Sequence, residues 1–123
     1  MVQSGLKMLD FKVVEVNFRI SSIPSEITSK SFFKIEDNDS GFLLMFTCQV
    51  NEKHNANSFL EIKSQSDFQI LDVNDPDVIK NYKVSSAPAI VFPFIRAFVA
   101  NFTLQSMNRA IVLPTYNFFP LNK

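Results

Sequence analysis

Cys48 and His54 are the only thiol and the only imidazole in the chain. Together they are its one candidate pair for an activated nucleophile and its base. Cys48 falls in the apolar alternation of Phe42–Val50, and His54 in the polar run Asn51–Asn57. The spacing therefore predicts a buried, inert cysteine and a solvated histidine. Asp37, Asp39 and Gly41 have the opening spacing of a calcium loop, but Cys48 stands where the closing carboxylate belongs. A hairpin turn is the simpler reading. Asp72, Asn74, Asp75 and Asp77 also cluster, yet Pro76 and the missing glutamate point to helix capping. Asn101-Phe102-Thr103 spells a glycosylation sequon in the middle of a helical pattern. One cysteine and one histidine leave no Cys/His metal cluster and no internal disulfide. Gly5 and Gly41, the only glycines, are too far apart for a phosphate loop. No acid, base and pocket assemble, so neither an enzyme nor a cofactor is expected.

The elements around these residues follow from periodicity. Phe11–Ile20 alternates Val14, Val16, Phe18 and Ile20 with Glu15, Asn17 and Arg19, a half-buried strand. Ser21–Lys30, with a proline and many hydroxyls, reads as a loop. Ser31–Glu36 reads as a second strand. Asp37–Gly41 is a turn, with Gly41 free to take a positive φ. Phe42–Val50 is a third strand. Its face of Phe42, Leu44, Phe46, Cys48 and Val50 is wholly apolar, and that of Leu43, Met45, Thr47 and Gln49 is mixed. Such a strand belongs in the middle of a sheet. Ser58–Phe68 is a fourth strand, with Leu60 and Ile62 on one face and a possible extension to Val73. Four sequential strands with short turns favour an antiparallel sheet.

Asp75 and Pro76 open a short helical stretch to Tyr82. Ser86 and Pro88 suggest a second start, and the main helix is expected from Pro88 to Met107. It spans about 30 Å at 1.5 Å per residue. Val91, Ile95, Phe98 and Phe102 lie on one face, and Phe92, Phe94 and Val99 widen it. A helix this apolar on a small domain is expected to be buried on two sides, by its own sheet and by a second subunit.

Composition sets the class. The 123 residues suit one domain, which alone hides roughly 65% of its unfolded surface. With no disulfide or metal, oligomerisation is the remaining support. Fourteen phenylalanines, against two tyrosines and no tryptophan, exceed what a small core needs. The excess points to an apolar interface, an apolar groove, or a Phe-heavy core. Twelve basic and twelve acidic residues cancel, so the footprint of nucleic-acid binding is missing. No apolar run reaches the roughly 20 residues of a membrane span. The N-terminus lacks a signal h-region, so a cytoplasmic location without membrane insertion is expected.

The segments Ala87–Arg96 (APAIVFPFIR) and Leu113–Phe118 (LPTYNF), after four strands with polar turns, resemble the SecB family of protein-export chaperones. The resemblance covers roughly Phe11–Phe118. It implies an α+β fold: a four-stranded antiparallel sheet, a crossover loop at Ser21–Lys30 and one long C-terminal helix. It also implies a dimer of dimers with the long helices between two sheets, and Val91, Ile95, Phe98 and Phe102 are the helix residues assigned to that interface. Its members are ATP-independent holdases that bind unfolded polypeptide clients in apolar grooves, and they need no cofactor. Position in the family assigns Phe33 and Ile35 to the groove-lining strand and Phe94 to the aromatic after the second proline. Phe32, Phe42, Met45 and Phe46 are added as apolar residues beyond core needs. Core or subunit packing stands as the alternative for each of these seven.

Three departures bear on function. Only five residues follow Asn117-Phe118, where the family continues into a groove-lining helix. The chain is neutral where the family is acidic, and Ile62 takes the place of an acidic residue beside Leu60. The motor-binding tail is missing, which puts docking to a SecA-type motor in doubt. The expectation is a holdase, in general export or dedicated to one partner such as an antitoxin. A non-chaperone oligomeric interaction protein with the same fold is the rival.

Overall fold

The computed structural model describes residues 5–114. Four strands, β1 (Gly5–Phe18), β2 (Ile27–Asp37), β3 (Gly41–Glu52) and β4 (Ser58–Leu71), form one antiparallel sheet in the order β1-β4-β3-β2. Hairpins join β2 to β3 and β3 to β4. The 19–26 connection carries the chain from one edge of the sheet to the other, which is the crossover expected. Helix α1 (Pro76–Asn81), a wide π-helical turn (Tyr82–Ser86) and helix α2 (Ala87–Met107) follow.

Period-two burial explains the sheet. On β3, Phe42, Leu44, Phe46, Cys48 and Val50 are all buried, and β4 opposes them with Phe68, Ser66, Ser64, Ile62 and Leu60. Ser64 and Ser66 are the small members of this face and are themselves buried. The Ser64 hydroxyl donates to the Phe46 carbonyl at 3.4 Å. These two central strands are covered on the inner face by α2, while the outer face carries mixed polar residues such as Gln49, Glu61 and Lys63.

Several sequence expectations need correction. β1 starts at Gly5 rather than Phe11, and its alternation is broken twice, between Met8 and Asp10 and between Val13 and Glu15. Each bulge sets an extra β1 residue against β4. Val14 is consequently turned outward at 48% exposure, and Val13 takes the inward place. β2 starts at Ile27 rather than Ser31, because Thr28, Ser29 and Lys30 find ladder partners in Asn51, Val50 and Gln49. Gly41 has no positive φ. A Cβ there would run into the Phe68 carbonyl of β4, so glycine is required by close approach.

Asp75 caps α1 as expected: its Oδ1 accepts from the Asp77 N–H at 2.9 Å, with Pro76 in the first turn. Ser86 is no second cap. It has helical φ and ψ (−65°, −47°) and makes no capping bond. The helix instead runs on from Pro76 to Met107, 32 residues. In the wide turn the Ala87 N–H reaches back to the Tyr82 carbonyl. It directly precedes Pro88, which has no N–H for the carbonyl four residues back, so the ladder adapts there. By length and apolarity this joined helix would pass for a membrane span. Its burial of one stripe against the sheet is that of a core helix.

That stripe repeats every fourth residue: Ala87, Val91, Ile95, Val99, Thr103 and Met107, with Pro88 and Phe92 beside it. A step of four on a helix of 3.6 residues per turn drifts by about 40°. The contact line therefore coils around the helix and follows the twist of the sheet. Phe98 and Phe102, expected on the same face as Val91 and Ile95, instead flank it half-buried.

Asn108 ends α2 in the left-handed conformation (φ 56°, ψ 29°), and the chain turns back along the helix. The Ile111 N–H donates to Thr103 Oγ1 at 2.8 Å, and Arg96 Nε donates to the Leu113 carbonyl at 3.0 Å. Ile111 and Leu113 are buried by this return. Arg109 Nη1 donates to the Pro24 carbonyl at 2.8 Å, tying the returning strap to the crossover loop.

Candidate functional site

The seven residues expected to bind clients fall in three places. Phe42 and Phe46 are buried in the core at 0% and 1% exposure. With no exposed surface they cannot line an open groove, and both are corrected to core residues on the inner face of a central strand. Phe33 and Ile35 are half-buried on the inner face of the edge strand β2. The Phe33 ring stacks on Phe46, with centroids 6.4 Å apart. Phe32 (47% exposed) and the half-buried Met45 share the outer face. Phe94 (46% exposed) lies at the opposite edge, stacked on Phe11 of β1 at 5.2 Å.

The four residues assigned to a subunit interface also divide. Val91 and Ile95 have no exposed surface within the single chain, so a second subunit cannot touch them. Phe98 and Phe102 stack on each other at 6.0 Å, and Phe102 meets Phe18 of β1 edge-on at 5.1 Å. With Phe11–Phe94 they form an aromatic seam that closes α2 onto β1.

Among the exposed helix residues, Ile90, Phe94, Ala97 and Leu104 form one row, with Asn101 in it. Their 4-3-4-3 spacing was present in the sequence, but the inward set at nearby positions masked it. Arg96 is the only charged residue of α2, and its guanidinium is turned to the strap. The outward row therefore carries no charge.

At the other edge, an open groove of about 540 Å³ lies between β2 and the start of the helix. Ile35, Ile79 and Val84 supply its apolar wall, and Asp37, Asn74, Lys80 and Lys83 its polar lining. Lys83 Nζ is 2.7 Å from Asp37 Oδ1, which ties the helix to the end of β2.

Cys48 and His54 are placed as expected, the thiol buried in β3 and the imidazole exposed in the β3–β4 turn at φ 69°. Burial pushes the Cys48 thiol up, opposed by the Ser31 hydroxyl across the ladder. Among the described residues no group of three His, Cys, Asp or Glu side chains is placed to hold a metal ion. Thr115–Phe118, four of the six residues of the second sequence resemblance, lies outside the described residues.

No protein-family model matches the sequence, and no curated protein does. Solved structures do match. A protein of unknown function from Streptococcus agalactiae is 12% identical, with a TM-score of 0.53 over 93% of this chain and 99% of that one. The SecB-like chaperone Rv1957 of Mycobacterium tuberculosis, solved with a ChAD peptide from the Rv1956 HigA1 antitoxin, is also 12% identical. It superposes with a TM-score of 0.73 over 91% of this chain and 88% of its own. Strand order, crossover and the single long C-terminal helix thus make this the SecB-like fold.

Proposed function

We propose that this chain is an ATP-independent chaperone that holds non-native polypeptide segments on apolar surface. The observation that carries the reading is the apolar surface left open on a SecB-like fold at Phe32 and in the β2 groove, apart from an uncharged, exposed row on α2. Client side chains would gain roughly 25 cal/mol per Å² of apolar area buried there. A homo-oligomer, a dimer of dimers, fits the same row: a second helix set against Ile90, Ala97 and Leu104 would cover it without stranding a charge.

The reading that the chain serves one dedicated partner has its own support. The structural neighbour Rv1957 was solved with a peptide from an antitoxin, so this fold accommodates a single short segment. The chain is neutral where the family's motor-docking sheet surface is acidic, with Ile62 beside Leu60, which favours the dedicated role over general export. The rival from another class is an interaction subunit whose apolar faces are filled permanently.

The test is native-state binding of a chemically unfolded, non-refolding polypeptide, followed by size exclusion with light scattering. The chaperone reading expects a stable complex at micromolar concentration, and uptake of an apolar fluorophore by the free protein. A defined oligomer that takes up neither identifies the interaction subunit. Leu104→Asp, at an exposed position, is expected to lower the oligomer mass without unfolding the chain. An unchanged mass removes the helix row from the subunit interface.

A further inference from the structure

The face of the sheet turned away from α2 is crossed by two adjacent rows of side chains. One row runs Glu36, Leu43, Asp67, Asp10 over β2, β3, β4 and β1. The next runs Lys34, Met45, Gln65, Lys12 over the same strands. Acids stand at both ends of the first row and lysines at both ends of the second. The alternation continues along β1, where Lys7 lies one row beyond Asp10 and Glu15 one row beyond Lys12. All six of these end residues are exposed. Among the described residues Lys7, Lys12, Lys34 and Glu36 enter no ion pair within the chain. Asp10 accepts from the Asp67 N–H at 3.1 Å, and Glu15 lies 4.0 Å from Lys63.

Rotation by 180° about a line between the two rows, running across the strands, exchanges them. Two copies set face to face on that axis bring Lys34 against the partner's Glu36 and Lys12 against the partner's Asp10. Lys7 meets the partner's Glu15. Each pairing occurs twice, and all are of opposite charge. Between them Leu43 meets the partner's Met45, again twice, while Asp67 faces the partner's Gln65. Lys63 comes against the partner's Gln69, and Phe32 against the partner's β2–β3 turn. Lys30 and Glu61 lie one row further out, beyond the paired rows. An apolar centre with a charged rim is the make-up of an interface. The other axis within the face, along the strands, lays β2 on the partner's β1. It sets Lys34 on the partner's Lys12 and Glu36 on the partner's Asp10, so like charges meet.

We infer that this sheet face docks a second copy of the chain, with the two-fold axis across the strands. The rows from Lys7 to Glu15 cover roughly 500 Å² per copy, at about 4.8 Å between strands and 6.8 Å between residues of one face. A standard interface takes about 800 Å² per partner, so the contact is weak and reversible. Its charged rim makes it sensitive to salt. A dimer of dimers needs two different two-fold contacts, and this one is separate from the helix row.

Sedimentation velocity over a range of protein concentrations reads the contact. Association of the intact protein is expected to weaken about tenfold or more as salt rises from about 0.05 M to about 0.5 M. The Leu104→Asp protein, with its helix row disabled, should still form a dimer at low salt. In that background Lys34→Glu and Glu36→Lys each set like charges on both symmetric pairings. Each alone is expected to weaken the dimer about tenfold. An equimolar mixture of the two restores opposite charges and is expected to recover the affinity to within about twofold. Recovery also shows that both variants are folded. A Leu104→Asp protein that stays monomeric at low salt overturns the inference, and so does a dimer that neither variant weakens. Variants that weaken the dimer and are not rescued by mixing overturn the two-fold pairing. Binding of the unfolded polypeptide is measured separately, so the chaperone reading and this one fail independently.

Discussion

The β1 side and the β2 side of this sheet are closed by different physics. At β1, side chains do it: Phe11 with Phe94, and Phe18 with Phe102 and Phe98, form a continuous seam between strand and helix. The strand beneath is bulged and its edge blunted. At β2 there is no aromatic seam, and a returning strap is fastened along α2 and to the crossover loop. Three directed hydrogen bonds hold that strap, Ile111 to Thr103, Arg96 to Leu113 and Arg109 to Pro24. The aromatic seam fills the space between strand and helix, while Phe94 keeps part of its ring exposed. At β2 no such seam forms, and a groove lined by Ile35, Ile79 and Val84 stays open beside the strand.

Breaking the seam is expected to have the largest effect. Phe102→Ala removes a half-buried ring with two aromatic partners and should destabilise the fold by about 2–3 kcal/mol. Denaturant unfolding measures this, and a change within error would mean the seam is not structural. The strap is tested by Thr103→Val, which keeps shape but leaves the buried Ile111 N–H without its acceptor. The expected loss is about 1–3 kcal/mol, with faster hydrogen exchange at Ile111. Arg109→Ala frees the crossover loop from the strap at a cost of about 1 kcal/mol. Its clearer readout is limited proteolysis, which should speed up within residues 19–26 and leave β1 untouched. Ser66→Ala probes neither edge. The Ser66 hydroxyl is buried in the central strands without a partner. Its removal should be neutral or stabilising by up to about 1 kcal/mol, the smallest change of the four.

Much of the sheet was legible beforehand. The inward set of β3, from Phe42 to Val50, stands in the sequence as strict alternation, and so does Leu60 with Ile62 on β4. Asp75 and Pro76 marked the helix start because capping is local chemistry. The site was far less legible. Phe42 and Phe46 looked like surplus phenylalanines, yet the central strands needed them for the core. Val91 and Ile95 looked available to a partner, yet the sheet beneath them takes their whole surface. Outward and inward sets on α2 interleave, and a helix apolar nearly all round gives periodicity no way to choose between them. The bulges of β1 left no mark either, since Leu9 and Val14 are residues that any strand accepts.

The sequence by itself determined what depends on neighbours in the chain: four strands, their alternation, the turn at Asp37–Gly41 and a long apolar helix. Only the tertiary structure decided which apolar residues are spent on the core and which stay outside. It joined α1 to α2 across the wide turn, returned the strap along the helix, and put the seam at one edge and the groove at the other. The reason is that burial is a property of pairs of surfaces. A residue's hydrophobicity says that it gains by being covered, and only the packing of helix on twisted sheet settles whether its own chain does the covering.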